Sequence, residues 1–272
     1  MKQDARIGEI HNEIFDDTPI TMTRNLAVER AKLKRADILL MIDSDMAPDI
    51  CLDTSTRPAM HAMKHARPFW DSSFDHMIKH HGPCLIASPY CGPPPHENIF
   101  VFYWDNKQSN HPNVDMRMEQ FTRESAAQRL GFEEVAALPT GLMIIDMRIF
   151  DEPTFAPPYF KYEFSDKFET RKGTTEDCYF TRNASLSGFK VYCNWSAWSG
   201  HVKRKVVCPP TMLTPDSVRK DFREAVKSNL LRSNETLLFL KSREPFVQCP
   251  SKQQLELQSV NGDTAEMVEK LS

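Results

Sequence analysis

The chain alternates between amphipathic and continuously apolar stretches. Residues 19–35 carry apolar side chains at Ile20, Leu26, Ala27, Ala31 and Leu33, the spacing of one helical face. Asp17 or Thr18 can cap that helix, with Pro19 in its first turn. Five consecutive apolar residues follow, Ile38 to Ile42, and predict a strand buried on both faces. Cys84 to Ala87, Ile99 to Trp104, Glu134 to Leu138, Leu142 to Ile145, Tyr159 to Phe164 and Lys190 to Cys193 predict further strands. Residues 49–65, 117–130, 176–186 and 214–231 predict helices, the third closed by Gly188. The first seventeen residues are polar, and Ile7, Ile10, Ile14 and Phe15 have a helical rather than an alternating spacing. Ser165 to Thr175 is expected to be a loop able to act as a lid. Alternating helices and short apolar strands predict an α/β protein with a mostly parallel central sheet. Its main domain is expected over residues 1–208 and a helical, polar extension over 209–272.

A chain of 272 residues, 40% apolar and 26% charged, can bury one full core. Its net charge of −3 gives no general attraction to nucleic acid or anionic lipid. The first twenty residues hold no apolar leader, and no stretch is long enough to span a bilayer, so a cytoplasmic protein is expected. The seven cysteines are odd in number and contain no C-x-x-C pair, which predicts free thiols rather than a zinc module or a disulfide framework.

Candidate chemistry gathers at strand ends. Asp43-Ser44-Asp45 follows the Ile38–Ile42 run directly, where two carboxylates can hold a hard divalent cation against a diphosphate. Glu176-Asp177 opens a helix after a glycine-containing loop. Acids are favoured there by the helix dipole, and a carboxylate there can also take a proton from a hydroxyl. His201 offers a nitrogen ligand to Mn²⁺. Arg24 in the first helix suits phosphate, with Asn25 beside it. Gly141 permits close backbone approach to a ligand. Lys203, Arg204 and Lys205 form a small basic cluster.

The order of these elements resembles the GT-A glycosyltransferases, especially the family-2-like and phage-type members. The likeness rests on TRNLAVERAKLKRADILLMIDSDMAPD, LIASPYCGPPPHENIFVFYW, LPTGLMIIDMRIF and TTEDCYFTRNASLSGFKVYCNWSAWSGHVK. It implies a Rossmann-like sheet flanked by helices and a UDP- or GDP-sugar donor. It further implies Mn²⁺ or Mg²⁺ on Asp43, Asp45 and His201, and Asp177 as general base with Glu176 beside it. Arg24, Asn25, Ser44 and Gly141 fall at the donor site. The implied reaction is inverting transfer of a sugar to a hydroxyl of a saccharide, lipid, protein or modified DNA base. The family's fold opens on an apolar strand that helps hold the base. Only 23 residues precede Arg24 and none form such a run, so that strand is expected to be missing, by truncation or by rebuilding. The competing expectation is an impaired remnant that binds a nucleotide or a partner. A nucleotidyltransferase ranks last, because the sequence has no glycine-rich phosphate loop near its N-terminus.

Overall fold

In the computed structural model the described residues are 4–15, 19–52, 63, 65–80, 82–92, 98–105, 117–165, 167, 172–202 and 233–240. The first helix, α1 (Ile20–Lys34), begins after Pro19 and closes on Arg35, whose left-handed backbone (φ 55°) returns its N–H to the Lys32 carbonyl. It buries small side chains, Ala27, Val28 and Ala31, and leaves Leu26 and Leu33 exposed. Asp17 and Thr18 lie outside the described residues.

The apolar runs form strands as their composition demands: β2 (Ile38–Ile42), β4 (Cys84–Ala87), β8 (Leu142–Asp146) and β11 (Lys190–Asn194). Alternate residues of β2 enter two different cores. Leu39 and Met41 join Ala27, Val28, Ala31 and Phe180 on one face. Ile38 and Leu40 meet Phe69, Trp70, Phe74 and Met77 of α2 (Phe69–Lys79) on the other. The residues that α2 buries recur at helical spacing, and each fully buried Phe or Met contributes about 1.5–3 kcal/mol. This helix was not among those expected. The helix expected over 49–65 falls largely outside the described residues.

The main sheet has seven strands in the order β1-β13-β2-β8-β4-β11-β7, with β1 (Ile7–Phe15), β7 (Phe132–Glu134) and β13 (Ser233–Leu240) completing it. It is mixed and mostly antiparallel. Only β4 and β11 pair in parallel, and the other five neighbouring pairs run antiparallel. This overturns the mostly parallel, Rossmann-like GT-A sheet that the sequence suggested. The physical reason is that a continuous apolar run reports burial on both faces. It says nothing of strand direction, and β8 runs antiparallel between β2 and β4.

Two further expectations are corrected. Ile7–Phe15 is extended, pairing with Ser233–Leu240 along the outer sheet edge. Arg117–Gln120 is a strand, β6, paired with β5 (Phe102–Asp105), and helix α3 is confined to Arg123–Ala127. The Ser233–Leu240 strand comes from the tract read as an extension, yet it lies inside the main sheet against β2. The helix expected over 214–231 lies outside the described residues. Among the described residues no helix is long and apolar enough to cross a membrane, and Cys51, Cys84, Cys91, Cys178 and Cys193 are in no disulfide.

Candidate functional site

Beyond β2 the chain turns at Asp43-Ser44-Asp45, with the Asp43 N–H donating to the Gly141 carbonyl (2.8 Å). A two-residue strand, β3 (Met46–Ala47), then pairs antiparallel with β12 (Gly200–His201), placing His201 opposite Met46. The Val202 N–H donates to the Asp45 carbonyl (2.7 Å) and extends this ladder. The result joins two side chains 156 positions apart, His201 Nε2 and Asp45 Oδ2, at 3.1 Å.

The other nitrogen of that ring, Nδ1, lies 3.0 Å from the Cys91 carbonyl oxygen. A carbonyl only accepts, so Nδ1 carries a proton. In a neutral ring Nε2 then directs a lone pair at a carboxylate oxygen, and two acceptors facing each other require a cation, either a proton or a metal. A carbonyl fixing the far nitrogen of a ligating histidine is the usual outer support of a metal site. Octahedral coordination with bonds of about 2.1 Å sets adjacent ligand atoms roughly 3.0 Å apart, the spacing of this pair. Among the described residues no cluster of three or more His, Cys, Asp or Glu forms a cation cage. The 3.1 Å separation is that of an ordinary His–Asp ion pair with a proton between the two groups, and the same two side chains can serve as two of the ligands of a first-row transition-metal ion.

Asp43 is differently employed. Both of its carboxylate oxygens accept from Arg24 Nη2 (2.9 and 3.1 Å), and Arg24 Nη1 donates to Glu176 Oε1 (2.7 Å). Arg24 is 3% exposed, so it is a buried strut between the acidic turn and the first turn of α4 (Glu176–Leu186). Glu176 is itself buried and also accepts from the Tyr162 hydroxyl. Burial first, and then Glu176, raise the Tyr162 phenol above its ordinary value.

Asp177, one residue on, lines the open cleft. Its Oδ1 accepts from the Thr175 hydroxyl and from the Cys178 N–H (2.8 Å), which fixes the carboxylate at the helix start. Burial, then the charge of Asp177, push the Cys178 thiol up to about 12, so this cysteine remains a thiol.

The cleft measures about 1350 Å³. That exceeds the roughly 300–1,000 Å³ typical of one small-molecule site. Arg24, Asp43, Asp45, Glu176, Asp177 and His201 all border it. Phe100, Phe102 and Met118 add apolar surface from the segment containing β5 and from its partner β6, while Lys161, Lys167 and Arg182 add positive charge. The hairpin of β9 (Glu163–Phe164) and β10 (Lys172–Thr174) occupies part of the tract expected as a lid. It is tied to α4 by paired Arg182–Glu163 bonds (2.8 and 3.0 Å).

Three expected donor-site residues do not line the cleft. Asn25 Oδ1 accepts from the Tyr159 and Phe160 N–H groups (2.9 and 3.1 Å), and its Nδ2 donates to the Thr21 and Phe160 carbonyls. It thereby fastens the 159–160 segment to α1. Ser44 occupies the turn between the two acids. Gly141 lies beneath the site. A Cβ there would stand 2.8 Å from Tyr90 Cε1 and 2.9 Å from Met46 Sδ, so only glycine fits without displacing a neighbour. Lys203, Arg204 and Lys205 lie outside the described residues.

Tyr90, in the Pro89-Tyr90 pair of the second resembling segment, also lines the cleft, although the motifs assign it no site role. It follows Pro89 beyond β4 and is 8% exposed, with its ring edge-to-face against His201 (4.8 Å). Burial above all, then Asp177 and Asp43, raise its phenol well above the ordinary value.

No family model matches the chain, and no curated protein resembles it significantly. Among solved structures the chain is similar to the crystal structure of A197 from STIV, at 12% identity, over 73% of this chain and 83% of that one, with a TM-score of 0.42. Likeness at this level establishes neither fold family nor activity.

Proposed function

We propose that the cleft transfers a sugar from a nucleoside-diphosphate donor, UDP- or GDP-linked, to an acceptor hydroxyl, with help from Mn²⁺ or Mg²⁺ and with inversion at the anomeric carbon. The observation that carries this reading is the Asp45–His201 pair, whose second ring nitrogen is fixed by the Cys91 carbonyl. Both residues border the cleft. A bound divalent ion would offset the charge that grows on the diphosphate as the sugar leaves.

The residues divide the work by their environments. Asp45 and His201 would hold the ion. Asp177 lines the cleft and takes the proton of the acceptor hydroxyl as its oxygen bonds to the anomeric carbon and the bond to the diphosphate oxygen breaks. Glu176 is committed to Arg24 and Tyr162, so it positions the start of α4 rather than receiving that proton. Arg24 holds Asp43 in place instead of reaching for phosphate. The acceptor is a saccharide, lipid, protein or modified base, and the cysteines in no disulfide suit a cytoplasmic setting. The alternative is an impaired remnant that binds a nucleotide or a partner, and donor-dependent glycosyl transfer separates the two.

Calorimetric titration with UDP and with GDP, with and without Mn²⁺, tests the reading. Metal-dependent binding of one nucleotide, lost in Asp45→Ala, is expected. Asp177→Asn should retain that binding and lose transfer to acceptors. A folded protein that binds neither nucleotide would sink the proposal.

A further inference from the structure

Strand β1 forms one side of the main sheet, and among the described residues no strand pairs with its outer edge. Open edges are usually blunted by proline, lysine or a bulge along the strand. β1 contains neither proline nor lysine, and its one irregularity falls between Ile7 and Glu9. From Glu9 to Phe15 the register is regular, so Ile10, Asn12 and Ile14 share one face and Glu9, His11 and Glu13 the other. Ile10 stands opposite Leu238, which is buried among Phe74 and Met77 of α2. The apolar core on the α2 side therefore runs out to the sheet edge and ends on Ile10 and Ile14, 41% and 47% exposed. On the α1 side His11 Nε2 lies 2.7 Å from Glu9 Oε1, and Glu13 binds both Arg30 (2.6 Å) and Lys34 (2.7 Å).

The order of these side chains selects a second copy of the chain as the occupant of that edge. Two identical strands related by a two-fold axis meet antiparallel, and residues directly opposite share a face. In one register β1 complements itself. Ile10 then faces the partner's Ile14, twice, on the α2 side, and His11 faces the partner's Glu13, twice, on the α1 side. The Glu13–Arg30–Lys34 group carries one net positive charge and lies diagonally across from the partner's Glu9. The neighbouring symmetric registers are disfavoured by like charges, since one sets Glu9 against the partner's Glu13 and the other sets Glu13 against the partner's Glu13. We propose that the chain dimerises by antiparallel pairing of β1 with β1 of a second copy, in the register that joins Ile10 to the partner's Ile14. The two main sheets become one, and the exposed isoleucines extend the core beside Leu238. This association is independent of the chemistry of the cleft.

Analytical ultracentrifugation of the full chain over about 1–300 µM reads the association, in the affinity range of a small interface. The weight-average mass of wild type should rise twofold across that range. Ile10→Lys combined with Ile14→Lys sets lysine against lysine in both pairs and should stay monomeric throughout. Ile10→Lys combined with Ile14→Glu sets lysine against glutamate in the same register and should associate again. Both positions are already exposed, and the two double variants place the same number of charges there, so each serves as the folding control of the other, with the urea midpoint as the check. A wild type that is monomeric at every concentration would overturn the proposal. So would a dimer that the paired lysines leave intact, which would lie on another surface. Failure of the lysine–glutamate variant to associate would overturn the register and with it the pairing.

Discussion

Replacing Arg24 with methionine should unfold the chain more readily than any other single change at the site. The guanidinium side chain is 4% exposed and neutralises two carboxylates. One of them, Glu176, is 9% exposed at its side chain, and the other, Asp43, is 26% exposed. Removing one member of a buried ion pair costs about 3–5 kcal/mol, because a charge is left without a partner in a low-dielectric setting. Asp43 can recover some hydration and Glu176 much less, so a loss of about 3–4 kcal/mol is expected for Arg24→Met. With a urea m-value of about 3 kcal/mol/M, that lowers the unfolding midpoint by roughly 1 M. Equilibrium urea unfolding followed by tryptophan fluorescence measures it directly. A second variant isolates the cause. Arg24→Met combined with Glu176→Gln removes the stranded charge and should recover about 1–2 kcal/mol relative to the single change, a coupling typical of side chains in contact. A midpoint for Arg24→Met close to wild type would refute the strut. A double variant no better than the single one would show that lost packing, not stranded charge, is responsible.

Other outcomes follow from the same geometry. Gly141→Ala should destabilise the protein by about 1–3 kcal/mol through overpacking against Tyr90 and Met46, measured by the thermal midpoint. His76 stacks on Phe132 at 4.0 Å and meets the edge of Tyr192 at 4.7 Å, and its Nε2 is buried without a partner among the described residues. Burial, then the charges of His80 and Lys79, hold its pKa below the ordinary 6.5. The unfolded chain therefore binds this proton more readily than the folded one. The stability that the neutral ring contributes is present above pH 6.5 and is lost as pH falls through the depressed folded value. His76→Phe should match wild type at pH 7.5 and lose less stability on acidification to pH 5. Equal acid sensitivity of the two proteins in urea unfolding would exclude that role.

Several elements were legible because their signal is local. The Ile38–Ile42, Cys84–Ala87 and Leu142–Ile145 runs became buried strands, and Ile20–Lys34 and Glu176–Leu186 became helices close to their expected bounds. Others depended on a distant partner. In Ile7–Phe15, Ile10 and Ile14 are 41% and 47% exposed, because this edge strand pairs on one side only. Little burial means little alternation to read. Arg117–Gln120 has a composition suited to a helix, but pairing with Phe102–Asp105 overrides that preference.

The sequence by itself determined which stretches are buried and that two acids stand at the end of a buried strand. Apolar continuity and polar turns are properties of neighbouring residues, and they act before any long-range contact forms. The tertiary structure alone decided strand direction, the insertion of Ser233–Leu240 beside β2, and the partners of each polar side chain. It committed Arg24 to two carboxylates, fastened Asn25 to the 159–160 backbone, and set Asp45 against His201 through a two-residue ladder. Those choices rest on hydrogen bonds and ion pairs between residues 19 to 156 positions apart, or on strand neighbours distant in the chain. Local periodicity carries no information about which partner a buried polar group will find, and only closure of the fold supplies it.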